Sequence, residues 1–280
     1  MIYLKLTLKV IQDYQEILIA ELQELDFEGF EQFDEKIEAY IPKKRFDDTA
    51  REYIEQLLSG YPGDNYVVTE EIPEQNWNRN WERSIQPQQI GQFFVKPTWS
   101  RLKSKEGQIL LEIDPKMSFG TGYHSTTRLM LEQISRMDLT GKSIIDAGTG
   151  TGILAIAAAK KQADTVFAFD IDPWSRENAF ENSRNNSVQT IVSIHLGGFE
   201  VIPENKRFDL ILANINRNVI TAHLPVMRKC LKPEGELLIT GILKEDVPSI
   251  RKKASVYSLY VTDVKTLQEW ALIKLVARQG

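Results

Sequence analysis

The chain has one cysteine, Cys230, three scattered histidines (His124, His195 and His223) and no run of 18 apolar residues in its 280. One cysteine excludes an internal disulfide framework and fits a reducing cytosol. So few thiols and imidazoles leave no zinc-ligand spacing. Without a long apolar run no transmembrane helix is expected. The start, MIYLKLTLKV, alternates apolar and polar residues as a strand does, not as a signal peptide does. The Gly-Lys-Ser/Thr of a phosphate-binding loop is also missing. A dinucleotide G-x-G-x-x-G starting at Gly148 and Gly150 needs glycine at 153, where the chain has Ile153. A nicotinamide dehydrogenase is therefore disfavoured.

Positive charge is scarce at one end. Residues 1–70 hold 7 Lys and Arg against 16 Asp and Glu, a net −9, so the other 210 carry +4 of the overall −5. An acidic module argues against a phosphate backbone as its direct ligand. It suits a basic protein partner, whose encounter complementary fields orient, or simply a solvated acidic face.

Ile2, Leu4, Leu6, Leu8 and Val10 alternate along one side of a strand, and Tyr14, Ile17, Leu18, Leu22 and Leu25 then recur at helical spacing. Phe27 to Phe33 and Lys36 to Ile41 read as two short strands. A helix capped by Asp47 or Asp48 follows, with Ala50, Tyr53, Ile54 and Leu57 inward. Tyr66 to Ile72 completes a βαββαβ order, that of a ferredoxin-like α+β domain over residues 1–72. Residues 73–107 lose periodicity and hold three of the five tryptophans, Trp77, Trp81 and Trp99. They read as a Trp-rich linker with connecting strands, its aromatics packed between domains or, for Trp77 and Trp81, lining a substrate cleft.

The rest, residues 108–280, reads as α/β. Strands are expected at 143–147, 165–170, 190–196, 208–213, 235–241, 256–263 and 267–277, with helices at 152–161, 174–185, 217–231 and 245–254. Short β-branched runs alternating with helices make a mostly parallel, Rossmann-like seven-stranded sheet covered on both faces. Ligands of such sheets bind at the carboxyl ends of the strands, beside the switch point.

Two glycine-rich loops lead into helices there: Phe119-Gly120-Thr121-Gly122, with Ser125-Thr126-Thr127 opening the next helix, and Gly148-Thr149-Gly150-Thr151-Gly152. Glycines let the backbone approach a ligand that helix-start N–H groups then hold. Asp146 ends its strand where a carboxylate orders the loop amides, approaches the cationic end of a ligand, or caps the turn. Asp170, 22 residues after Gly148, ends the next strand where an acidic residue accepts both hydroxyls of a ribose. Asp172, directly before Pro173, better resembles a helix cap. Asn214 ends strand 208–213 at the same edge, where its amide oxygen can accept from an incoming amine; the alternative is an Asn closing a turn. No Pro-Pro-Tyr follows it, which disfavours planar amide or base substrates. His124 is either a base or a loop hydrogen-bonder.

The G-x-G-x-G loop looks like motif I of the class I methyltransferases that bind S-adenosyl-L-methionine. With FGTGYHSTT, DAGTGTGILAIAAAK, FDIDPWSRENAFENSRNN, DLILANI and GELLITGIL, the chain resembles the ribosomal protein L-eleven methyltransferase family nearly end to end. The resemblance implies a class I methyltransferase domain with cofactor contact by Thr127, Gly148, Asp170 and Asn214. Phe119, Thr121, Gly150 and Asp146 stand beside them as further candidates, and Asn214 is the candidate for orienting the amine. It also implies methylation of lysine ε-amines and an N-terminal α-amine on a basic ribosomal protein recognised by the acidic N-terminal domain. A cytoplasmic monomer with no direct nucleic-acid or membrane ligand is expected. The rival readings are a lysine methyltransferase acting on a different protein and a cofactor-binding assembly factor without turnover. Two departures stand out: Tyr123 occupies a position where the family often has a small or different polar residue. Gly197-Gly198-Phe199-Glu200 lacks the Asp expected near the adenine.

Overall fold

The computed structural model describes residues 2–10, 12–23, 25–60, 67–72, 85–116 and 118–278, and divides into two compact units, Met1–Trp77 and Asn78–Gly280. In the first, β1 (Tyr3–Lys9), α1 (Gln12–Gln23), β2 (Gly29–Phe33), β3 (Lys36–Pro42), α2 (Asp48–Ser59) and β4 (Val67–Ile72) follow in the order of a split βαβ unit. The sheet runs β2-β3-β1-β4 with every pair antiparallel. Period-2 alternation buries Leu4, Leu6 and Leu8 of β1 on the same side as Ile41, Ala39 and Ile37, their partners on β3. Leu18 and Leu22 of α1 and Ile54 and Leu58 of α2 close this core. The inward face of α2 matches the expected one at Ile54, with Leu57 partly buried against the same core, but not at Tyr53. Tyr53 is exposed, its hydroxyl reaching Glu21, because the buried pair is Ile54 and Leu58, one turn apart. Asp47 is the cap, accepting from the Ala50 amide at 2.8 Å.

The second unit opens with a small three-stranded sheet: β5 (Gln88–Ile90), β6 (Phe93–Lys96) and β7 (Ile109–Glu112). Ile90, Phe93, Val95 and Leu111 are buried in one core with Leu129, Met130 and Ile134 of α3 (Ser125–Arg136). Trp99, in the same segment, is exposed, so burial of the tryptophans fails at that position. Trp77 and Trp81 lie outside the described residues.

The main sheet is made of β8 (Ser143–Ala147), β9 (Thr165–Asp170), β10 (Val192–Leu196), β11 (Phe208–Asn214), β12 (Leu231–Leu243), β13 (Leu259–Leu267) and β14 (Trp270–Ala277). Between these strands run α4 (Ile153–Lys160), α5 (Pro173–Asn185), α6 (Arg217–Cys230) and α7 (Val247–Ser255). Strand order is β10-β9-β8-β11-β12-β14-β13, parallel from β10 to β12, with β14 antiparallel to both neighbours. Successive residues feed opposite faces. Ile144 and Leu212 pack with α3 and α4, whereas Ile145 and Ile211 pack with α6 and α7. The order reverses between β8 and β11, so the loops after β8, β9 and β11 meet at one carboxyl edge. Two expected boundaries moved. Strand β12 begins at Leu231, directly after α6, and the closing hairpin turns at Gln268-Glu269. Gln268 takes a left-handed φ of 54° with no glycine or asparagine to announce it. Among the described residues no helix is long and apolar enough to cross a membrane.

Candidate functional site

The loop after β8 is latched from below and from the side. Asp146 is fully buried, and its Oδ2 accepts from the Thr149 hydroxyl (2.7 Å) and the Ala155 amide (3.1 Å), tying the turn to the start of α4. Its Oδ1 has no partner. Burial pushes this carboxyl up to about 6, against the lowering effect of its two hydrogen bonds, with Asp170 adding a smaller push upward. The Gly148 and Thr149 amides donate to the Phe169 carbonyl at 3.0 Å, and the Gly150 amide donates to Asp170 Oδ2 at 2.9 Å. Gly148 and Gly150 have φ of 69° and 54°. A Cβ at Gly148 would lie 2.4 Å from Ile215 Cγ2, and one at Gly150 2.3 Å from the Phe119 carbonyl oxygen. These glycines let the loop after β11 and the loop before α3 close onto the loop after β8.

The earlier glycine loop sits directly on the later one. The Thr151 amide donates to the Phe119 carbonyl (2.9 Å) and the Thr151 hydroxyl to the Gly120 carbonyl (2.6 Å). His124 caps α3, its Nδ1 accepting from the Thr126 amide, and its ring is wedged edge-on between Phe119 and Trp270. It is a loop hydrogen-bonder. Tyr123 exchanges two hydrogen bonds with the backbone of Gln86, which gives that unexpected side chain a structural role. Thr127, fully buried, accepts from Asn214 Nδ2 at 3.3 Å, so α3 and the end of β11 meet at this point.

Phe119, Gly148, Gly150, Asp170 and Asn214 line one cleft of about 570 Å³. Thr127 stands behind Asn214, Asp146 lies beneath the loop, and half-buried Thr121 is not among the lining residues. Asp170 Oδ1 accepts from the Asp172 amide (3.0 Å), so each carboxylate oxygen carries one amide and keeps further lone pairs. Asp172 caps α5 through the amides of Trp174 and Ser175, and Asn216 caps α6 through Val219. Ile171, Phe199 and His223 also line the cleft and were not anticipated. Ile171 had a signal, an apolar residue between two Asp with no strand left to join, and it is 78% exposed. Phe199 stacks on His223 at 4.4 Å. Where an Asp was sought, Glu200 accepts from the Gly198 amide, which holds its carboxyl below the usual range. Among the described residues no group of three or more His, Cys, Asp or Glu can hold a metal ion.

A carboxylate at the end of β9, an amide at the end of β11 and apolar walls between them suit a nucleoside-like ligand bearing a polar tail. Known proteins point the same way. The family described as ribosomal protein L11 methyltransferase (PrmA) matches residues 8–278. The chain is 39% identical over 272 residues to the ribosomal protein L11 methyltransferase of Chlorobaculum parvum, covering 95% of this chain and 93% of that one. It is 36% identical over 274 residues to that of Porphyromonas gingivalis, covering 96% and 92%. A ribosomal protein L11 methylase from Lactobacillus delbrueckii subsp. bulgaricus has a similar structure, with TM-score 0.65 and 26% identity, over 70% of this chain and 100% of that one.

Proposed function

The chain belongs to the ribosomal protein L11 methyltransferase family, and from that we propose that it moves methyl groups from S-adenosylmethionine onto a ribosomal protein, at lysine ε-amines and the N-terminal α-amine. The observation that carries the reading is the convergence of Gly148, Gly150, Asp170 and Asn214 on one cleft, with Thr127 bonded to Asn214. These residues fit that methyl donor. Asp170 has lone pairs left for a ribose diol, and Ile171 and Phe199 offer apolar surface to an adenine beside it. When bound, the donor supplies a methyl already activated on a sulfonium.

The protein's own task is then to deliver a neutral amine. An α-amine with pKa about 8 is partly neutral at pH 7, whereas lysine at about 10.4 is neutral in roughly 1 part in 2,500. An apolar cleft lowers that pKa by disfavouring the ammonium form. Asn214, with Nδ2 committed to Thr127, turns Oδ1 toward the amine and orients its lone pair. Orientation and desolvation replace a strong base. The net −9 of residues 1–70 supports recognition of a basic substrate by the first unit, and a ribosomal protein target supports a cytoplasmic reaction.

The amine assignment is tested with purified ribosomal protein L11 whose N-terminus is free or acetylated and whose lysines are intact or replaced by arginine. Loss of 14-dalton increments on acetylation and on lysine replacement is expected. Unchanged increments in both would overturn it.

A further inference from the structure

Two asparagines one turn apart on α5, Asn178 and Asn182, and a third at its C-cap, Asn186, are all but fully buried. Asparagine is a weak helix former, and its buried amide needs partners. All three find them in the backbone of the segment that leads to the first glycine loop. Asn186 accepts from the Glu112 amide (3.0 Å) and donates to its carbonyl (2.7 Å). Asn182 does the same with Asp114, at 3.0 Å each, and Asn178 donates to the Pro115 carbonyl. One side of α5 thus reads residues 112–115 much as a neighbouring strand would.

Asn182 Nδ2 reaches two acceptors besides Asp114, the Thr151 carbonyl at 2.9 Å and Asn178 Oδ1 at 2.8 Å, whereas Asn186 Nδ2 reaches the Asn182 carbonyl at 2.8 Å; of the two, Asn182 alone touches the glycine loop. Thr151 holds the Phe119 and Gly120 carbonyls through its amide and hydroxyl. A closed circuit results, from Asp114 through Asn182 and Thr151 to Phe119 and Gly120. It has no slack. A Cβ at Gly150 would sit 2.3 Å from the Phe119 oxygen, and one at Gly152 3.1 Å from Ala179 Cβ of α5. Phe119 and Gly150 are both walls of the cleft.

We infer that Asn182 is a positioning residue: acting through Thr151, it sets the spacing of the two glycine loops and so the affinity of the cleft for its methyl donor. The inference rests on the reading of that cleft as the S-adenosylmethionine site.

The test compares Asn182→Ala with Asn186→Ala, which removes a similar set of buried hydrogen bonds without touching Thr151. S-adenosylhomocysteine binding is measured by calorimetry, and Thr151 amide exchange in the ligand-free protein by NMR. Asn182→Ala is expected to bind about tenfold more weakly, the equivalent of one lost hydrogen bond at the loop contact, and to exchange Thr151 faster. Asn186→Ala is expected to melt comparably lower yet keep both properties. Thr151→Val removes the hydroxyl bond to the Gly120 carbonyl, one link further along, and Asn182→Asp, which keeps an acceptor for the Asp114 amide but loses the donor to Thr151, decides the matter if Asn182→Ala fails to fold. Equal effects of the two asparagines, or unchanged affinity and exchange in Asn182→Ala, would overturn the inference. A native protein that binds no S-adenosylhomocysteine would instead overturn the cofactor reading and the affinity claim with it. The Thr151 exchange comparison would then decide the loop coupling alone.

Discussion

Replacing Asp146 by asparagine removes a charge from beneath the glycine loop while keeping the volume of the side chain. The carboxyl is fully buried with one oxygen unpartnered, and burial lifts it from 3.8 to about 6. The native state therefore holds this proton more tightly than the unfolded chain does. Its contribution to stability is fully present below about 3.8 and is lost as pH rises through about 6. A shift of that size is worth about 3 kcal/mol in full, of which roughly 1.5 kcal/mol is lost between pH 5 and pH 8. Asparagine pays none of that ionisation cost, and its oxygen can still accept from Thr149 and Ala155. Any cost of seating its amide group is the same at both pH values and cancels. Urea unfolding of both proteins near pH 5 and near pH 8 is the assay. Asp146→Asn should gain on the native protein by roughly 1.5 kcal/mol between the two conditions. A difference that does not change with pH would refute the reasoning, because the carboxylate would then titrate as if in water.

Gly150→Ala forces a left-handed side chain against a backbone oxygen; a loss of about 2–4 kcal/mol in stability and at least tenfold in S-adenosylhomocysteine affinity is expected. Asn214→Ala should lower kcat about 100-fold, more than it weakens cofactor binding, and unchanged turnover would remove its orienting role. Thr127→Val should lower kcat about tenfold by freeing the Asn214 amide, with recovery in Thr127→Ser. Asp170→Asn should weaken S-adenosylhomocysteine about tenfold, read by calorimetry, because the Gly150 amide and the ribose both lose a charged acceptor.

The strands around the site were legible because their punctuation is local. β8 and β9 are β-branched or apolar runs that stop at Ala147-Gly148 and at Asp170, and both fall on the residues expected. The β13–β14 turn was not legible, since Gln268 carries no turn signal and is held by the pairing of Leu267 with Trp270. On α2 Tyr53 was misread, since packing under β1 and β3 draws in Leu58 beside the expected Ile54 and Leu57 and leaves Tyr53 outside. At the cleft, the 22-residue spacing from Gly148 pointed to Asp170, and the strand end to Asn214, but the sequence left Asp146 open between a ligand and the turn. The hydrogen bonds of Asp146 to Thr149 and Ala155 place it with the loop. The asparagine ladder was invisible for a different reason. Polar residues on a helix read as a wet face until the backbone they serve, 68 residues earlier for Asn182 and 74 for Asn186, is brought against them.

Transfer of labelled methyl from S-adenosylmethionine to purified large-subunit ribosomal proteins, resolved by mass, tests the central claim most directly. One small ribosomal protein gaining several 14-dalton increments is the expected result. Label on other proteins alone, or no transfer by a protein that binds the methyl donor, would contradict it.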